Sequence, residues 1–139
     1  MILDTYNQPK KITTDLLDSV VNHANEMLCL EDYDLDELQI VFKSTKGSHG
    51  YFDGIGDEDD GVASIEINSK NSVDEIVRTI FHELVHVQQV LNESFCDIEQ
   101  TWHGEYYGNV EYDSRPWEID AFEKESILYD TWKISKSAK

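Results

Sequence analysis

The chain's 139 residues suit one domain, 1–139, and leave little room for a second. Hydrophobic residues make up 40% and charged residues 29%, the balance of a folded globular protein. Eleven Lys plus Arg against twenty-nine Asp plus Glu leave a formal net charge of −18, a field that repels nucleic acid and anionic membrane and attracts cations or basic partners.

Met1-Ile2-Leu3-Asp4 has neither the basic nor the apolar region of a signal peptide. No apolar run approaches the ~20 residues of a membrane span. Cys29 and Cys96 make no disulfide framework, and a reduced, cytoplasmic setting is expected.

Thr13 or Thr14 caps a first helix reaching about Leu30, with Leu16, Leu17, Val20, Val21, Ala24 and Leu28 at helical spacing. Glu31 to Asp34 breaks it. Leu38 to Phe42 is β-branched and aromatic and reads as a strand. Lys43 to Gly61, rich in Gly, Ser and Asp, reads as a loop with a short strand near Tyr51-Phe52. Counted from Asp57, positions 6 and 12 of a calcium loop would be Val62 and Asn68, not Gly and Glu, so this acidic stretch reads as a solvated turn. Val62 to Asn68 alternates in its second half, as strands do.

Ser72-Val73-Asp74-Glu75 is a capping box. It opens a helix to about Leu91 or Asn92, on which Val73, Val77, Ile80, Leu84, Val87 and Leu91 form one apolar stripe. Phe95 to Tyr112 reads as a hairpin or irregular segment. Ser114-Arg115-Pro116 starts the last helix, Pro116 standing where a missing N–H costs nothing. That helix is expected to end near Lys133, with 135–139 as a frayed tail.

His82 and His86 lie four apart, so they share one helical face, opposite the stripe, and can present two imidazoles to one cation. A catalytic zinc takes three protein ligands and keeps one open position. Glu83 stands beside that face as the general base for an attacking water. Glu118 is the first choice for third ligand, because it shares a core-facing side of the last helix with Ala121, Phe122, Tyr129 and Trp132. A carboxylate aimed into a core must be paired or bound to metal. Asp120 projects the other way. The bland alternative for Glu118 is a first-turn glutamate favoured by the helix dipole. His103, beside Trp102 and Gly104, is the rival ligand. His23 and His49 belong to no pattern.

With His82-Glu83-Leu84-Val85-His86 and Glu118-Ile119-Asp120-Ala121, the chain resembles the zincin metallopeptidases, in the branch whose third ligand is glutamate (gluzincins). The latter stretch is similar to the Glu-x-x-Ala region of the ImmA/IrrE metallopeptidases, although Phe122-Glu123-Lys124 departs from their longer segment. Three stretches together resemble small single-domain metallopeptidase-like proteins of bacteriophages and bacteria: His82 to Gln89, Trp102-x-Gly104-x-x-Tyr107 and Pro116 to Ala121. His103-Gly104 imitates the later His-Gly of SprT-like proteins.

The resemblance implies one zinc on His82, His86 and Glu118, with Glu83 as catalytic base and a peptide or protein as substrate. It also implies an α+β minimal zincin fold: a small, mainly antiparallel or mixed sheet with an N-terminal helix, the His-Glu-x-x-His helix and a C-terminal helix. Val62 to Asn68 is the expected edge strand along the cleft. Tyr107 or His103 could stabilise an oxyanion, or Tyr107 could simply pack. A protein partner could activate so small a domain, and a phage-encoded chain would work in the host cytoplasm. The competing class is a non-catalytic zinc-binding regulatory module, although retained Glu83 and the lack of a Cys cluster speak against a purely structural site.

Overall fold

The computed structural model describes residues 1–44, 50–55, 61–96 and 98–137, with the span 50–55 described in its backbone. His49 and Asp57 to Asp60 lie outside the described residues.

The first strand, β1 (Ile2–Tyr6), has no counterpart in the sequence reading. It pairs in parallel with β2 (Glu37–Lys43), Ile2 opposite Glu37 through Tyr6 opposite Val41. Between them runs α1 (Thr14–Leu28), whose N-cap is Thr13: its Oγ1 accepts from Leu16 N at 3.1 Å. The helix stops at Cys29, which takes the left-handed conformation (φ 55°), and a 3₁₀ turn over Leu30–Tyr33 follows.

β2 pairs in parallel with β4 (Val62–Asn68), and β3 (Gly50–Ile55) lies antiparallel on the far side of β4. The sheet order is β1-β2-β4-β3, mixed rather than mainly antiparallel. Val62–Asn68 is therefore an interior strand, and the edge expected there belongs to β3. The alternation that marked β4 reflects one packed face: Ala63, Ile65 and Ile67 are buried with Leu38, Ile40 and Phe42 of β2. Gly61 enters β4 at φ 59°, and its carbonyl accepts from both Asp36 N and Glu37 N. A Cβ there would meet Asp36 Oδ2 at 2.8 Å, so the position admits glycine alone without rearrangement.

α2 (Val73–Leu91) begins at Ser72, whose Oγ accepts from Glu75 N at 3.2 Å. It packs on β3 and β4 and against α1 and α3 (Pro116–Ser137). Its burial is wider than the expected stripe: Ile76, Phe81 and Val85 are buried too, whereas Val73 is partly exposed. Part of the difference comes from α3, whose Trp132 meets Phe81 edge to face. α3 runs four residues beyond Lys133. It is tied to α1 by Trp132 Nε1 donating to Ser19 Oγ at 2.8 Å, and Trp132 meets Phe81 edge to face. Phe122, expected on the inner face of α3, is about half exposed.

Between α2 and α3 lie three two-residue strands, β5 (Phe95–Cys96), β6 (Thr101–Trp102) and β7 (Glu105–Tyr106), forming a small antiparallel sheet. A 3₁₀ turn over Tyr112–Ser114 leads into α3. Both cysteines are free thiols. Among the described residues no helix is long and apolar enough to cross a membrane. The whole is an α+β arrangement in which N- and C-terminal helices flank the helix bearing His82 and His86, with mixed sheets: a minimal zincin-like fold.

Candidate metal centre

His82 and His86 occupy consecutive turns of α2, and Glu118 stands in the first turn of α3. The packing of α3 on α2 brings the three together. Nε2 of His82 lies 2.9 Å from Glu118 Oε1, and Nε2 of His86 lies 3.2 Å from the same oxygen. All three side chains are buried, and their ligand atoms lie within 4.8 Å of one another. Two atoms bound to one tetrahedral zinc stand about 3.3 Å apart, so the spacing suits that ion with little movement. Two imidazole nitrogens and one carboxylate oxygen are also the donor set of an open, catalytic zinc site rather than a closed structural one. His82, His86 and Glu118 thus form a buried triad with His-Glu-x-x-His and downstream Glu spacing, consistent with a gluzincin-type zincin metal site.

The outer nitrogens are engaged as well. His82 Nδ1 lies 3.0 Å from Glu125 Oε1, and His86 Nδ1 lies 2.8 Å from Gln89 Oε1. Such partners orient a ligating imidazole and leave Nε2 for the metal. Sequence reasoning missed both. Each had a signal: Gln89 is one turn beyond His86, and Glu125 is two turns beyond Glu118 on the same face of α3.

The charges follow from this geometry. Burial alone would lower the His82 pKa, but the hydrogen bonds to Glu118 and Glu125 and the charges of Glu83 and Glu118 raise it to about 9. His86 is likewise raised, mainly by Glu118 and Glu83 against the cost of burial. Burial would raise Glu118, yet the two histidines hold it at about 2. Without metal, the imidazoles therefore keep protons that a cation would displace.

Glu83 is buried beside the triad. Burial pushes its pKa up, His86 and His82 pull it down, Glu118 and Glu125 push it up again, and the net result is a raised value.

His103 is not brought to the triad. It sits in the loop between β6 and β7 at φ 48°, its ring edge-on to Trp102. Tyr107 also stays outside, its hydroxyl donating to Glu105 Oε2 at 2.9 Å and its ring meeting Trp117 edge-on. Among the described residues the tyrosine that reaches the site is Tyr112, which sequence reasoning passed over because it follows no motif. Burial, the charge of Glu118 and a hydrogen bond donated to that carboxylate push its phenol well above the ordinary range. Phe122 packs against the His82 ring, with centroids 4.5 Å apart.

Comparison with known proteins finds no matching family model, no matching curated protein and no matching solved structure.

Proposed function

We propose that this chain is a zinc-dependent metallopeptidase, a reading carried by the buried His82, His86 and Glu118 triad with the buried carboxylate of Glu83 next to it on the same helix. In this reading His82 Nε2, His86 Nε2 and an oxygen of Glu118 hold one zinc. The ion would supply Lewis acidity toward a water molecule and the scissile carbonyl.

The protein's own groups carry the remaining work. Glu83 takes a proton from the attacking water and returns it to the departing amine, so the peptide C–N bond breaks without a free amide anion. The Tyr112 phenol, which lies toward Glu118, would turn from it toward the oxygen on which charge develops. Among the described residues no strand pairs with the outer edge of β3, which packs against α2 and would offer backbone groups to an extended peptide by strand addition. A peptide or protein is the substrate class. The net charge of −18 favours basic substrates over nucleic acid.

The test is hydrolysis of an unfolded-protein or peptide library by the zinc-loaded chain. Loss of cleavage with a chelator and its return with zinc support the proposal. A chain that binds one equivalent of zinc and cleaves nothing, with or without its cellular partners, favours a non-catalytic zinc-binding module instead.

A further inference from the structure

Gln89 is 1% exposed and lies one turn beyond His86 on α2. Its Nε2 stands 2.9 Å from the Trp117 carbonyl oxygen and 2.9 Å from Asp120 Oδ2. A carbonyl and an ionised carboxylate can only accept, so this end of the amide must be the donor. Turned over, the amide would set its oxygen against two acceptors in a buried place, a costly arrangement.

The other end of the amide is then its oxygen, 2.8 Å from His86 Nδ1. Because that oxygen only accepts, Nδ1 must carry the hydrogen. The lone pair of the neutral ring is left on Nε2, the atom facing Glu118. Trp117 and Asp120 also flank Glu118 in the chain, so one amide fixes the tautomer of one ligand and the position of the next. Asp120 is itself held by Lys124 Nζ at 3.2 Å, and Lys124 also donates to Gln88 Oε1 at 3.0 Å. His82 needs no such device, since Glu125 accepts from its Nδ1 with either oxygen.

We propose that Gln89 and Asp120 are positioning residues that set the metal-binding tautomer of His86 and hold the first turn of α3 against α2. The inference rests on the reading of the triad as a zinc site. Asp120, expected from the sequence to project away, instead turns its carboxylate to Gln89 and, standing outside the triad, works through the amide it orients.

The experiment is chelator competition for zinc on the full chain, with NMR of the zinc-loaded, ¹⁵N-histidine-labelled protein. Gln89→Leu is expected to weaken zinc binding about 10–100-fold. It should also abolish or hasten exchange of the His86 Nδ1 proton while that of His82 persists, a split that general loosening of the fold would not produce. Asp120→Ala should weaken binding, and Asp120→Asn, whose oxygen still accepts from Gln89, should restore it. Unchanged affinity in Gln89→Leu, with zinc uptake lost in His86→Ala, overturns the lock and leaves the metal site standing. Absence of zinc uptake by the unaltered chain overturns both. If Gln89→Leu does not fold, the Asp120 pair decides, and equal affinity in Asp120→Ala and Asp120→Asn overturns the lock.

Discussion

Glu125 accepts the Nδ1 hydrogen of His82 at 3.0 Å, while Arg78 approaches its other oxygen at 3.9 Å. One face of α3 thereby sets a carboxylate on each nitrogen of the same imidazole, Glu118 on the inner and Glu125 on the outer. Glu125→Ala should lower zinc affinity about 10–100-fold, and Glu125→Gln, which still accepts, should lose less. Chelator competition measures both. Equal losses in the two variants would mean that acceptance by Glu125 does not matter.

The ligand assignment separates Glu118 from His103. Purified chain should carry close to one zinc, strongly reduced in Glu118→Ala and retained in His103→Ala. Elemental analysis after gel filtration reads this directly, and the reverse pattern would transfer the third ligand to His103.

Glu83 makes no bond to the proposed metal, so its removal should divide binding from chemistry. Glu83→Gln is expected to keep its zinc while hydrolysis falls about 10²–10⁴-fold. Comparable cleavage by that variant would remove the proposed general base.

The triad also predicts a pH signature in the metal-free protein. Burial disfavours the charged His82, but Glu118 and Glu125 raise its pKa from 6.5 to about 9. Its contribution is therefore complete below 6.5 and is lost as pH rises through 9. Burial likewise opposes the charged Glu118, which the histidines lower from 4.5 to about 2. That contribution is present above 4.5 and is lost as pH falls through 2. Both describe one interaction, so the stability difference between the metal-free chain and Glu118→Gln should be largest from about pH 4.5 to 6.5 and shrink on either side. Denaturant titrations across pH measure it, and a difference constant from acid to alkaline conditions would contradict the pairing.

Local signals carried most of the architecture. Thr13 and Ser72 announce their helices through caps made within one turn, and Leu38, Ile40 and Phe42 announce β2 by alternation. β1 gave no such sign, because Ile2 is exposed and Asp4 and Thr5 are polar; its strand exists through pairing with β2, more than thirty residues away. The wrong edge strand has the same root, since burial of one face marks a strand but not its neighbours. At the site, spacing made His82 and His86 legible, and the core-facing side of α3 with the family resemblance singled out Glu118. Gln89 could be placed beside His86 by its spacing, but its link to Asp120 could not, because it depends on which amide end meets which acceptor across two helices.

The small sheet of β5, β6 and β7 begins nine residues after His86 and ends twelve residues before Glu118, so the span that carries it is tethered at both ends to the helices that bear the triad. Ladders of two residues do not stand by themselves, and its chief apolar anchor is Phe95 stacked on Trp117 at 4.5 Å, next to that same glutamate. Metal occupancy should therefore govern how often this span opens to an added protease. Trypsin has no foothold in this span, because its one basic residue, Arg115, precedes Pro116, so a broad-specificity protease such as subtilisin is the better reporter. Nicks between 92 and 114, mapped by mass spectrometry, should appear on chelation and fade on return of zinc, making the connecting span a gauge of loading that requires no knowledge of the natural substrate.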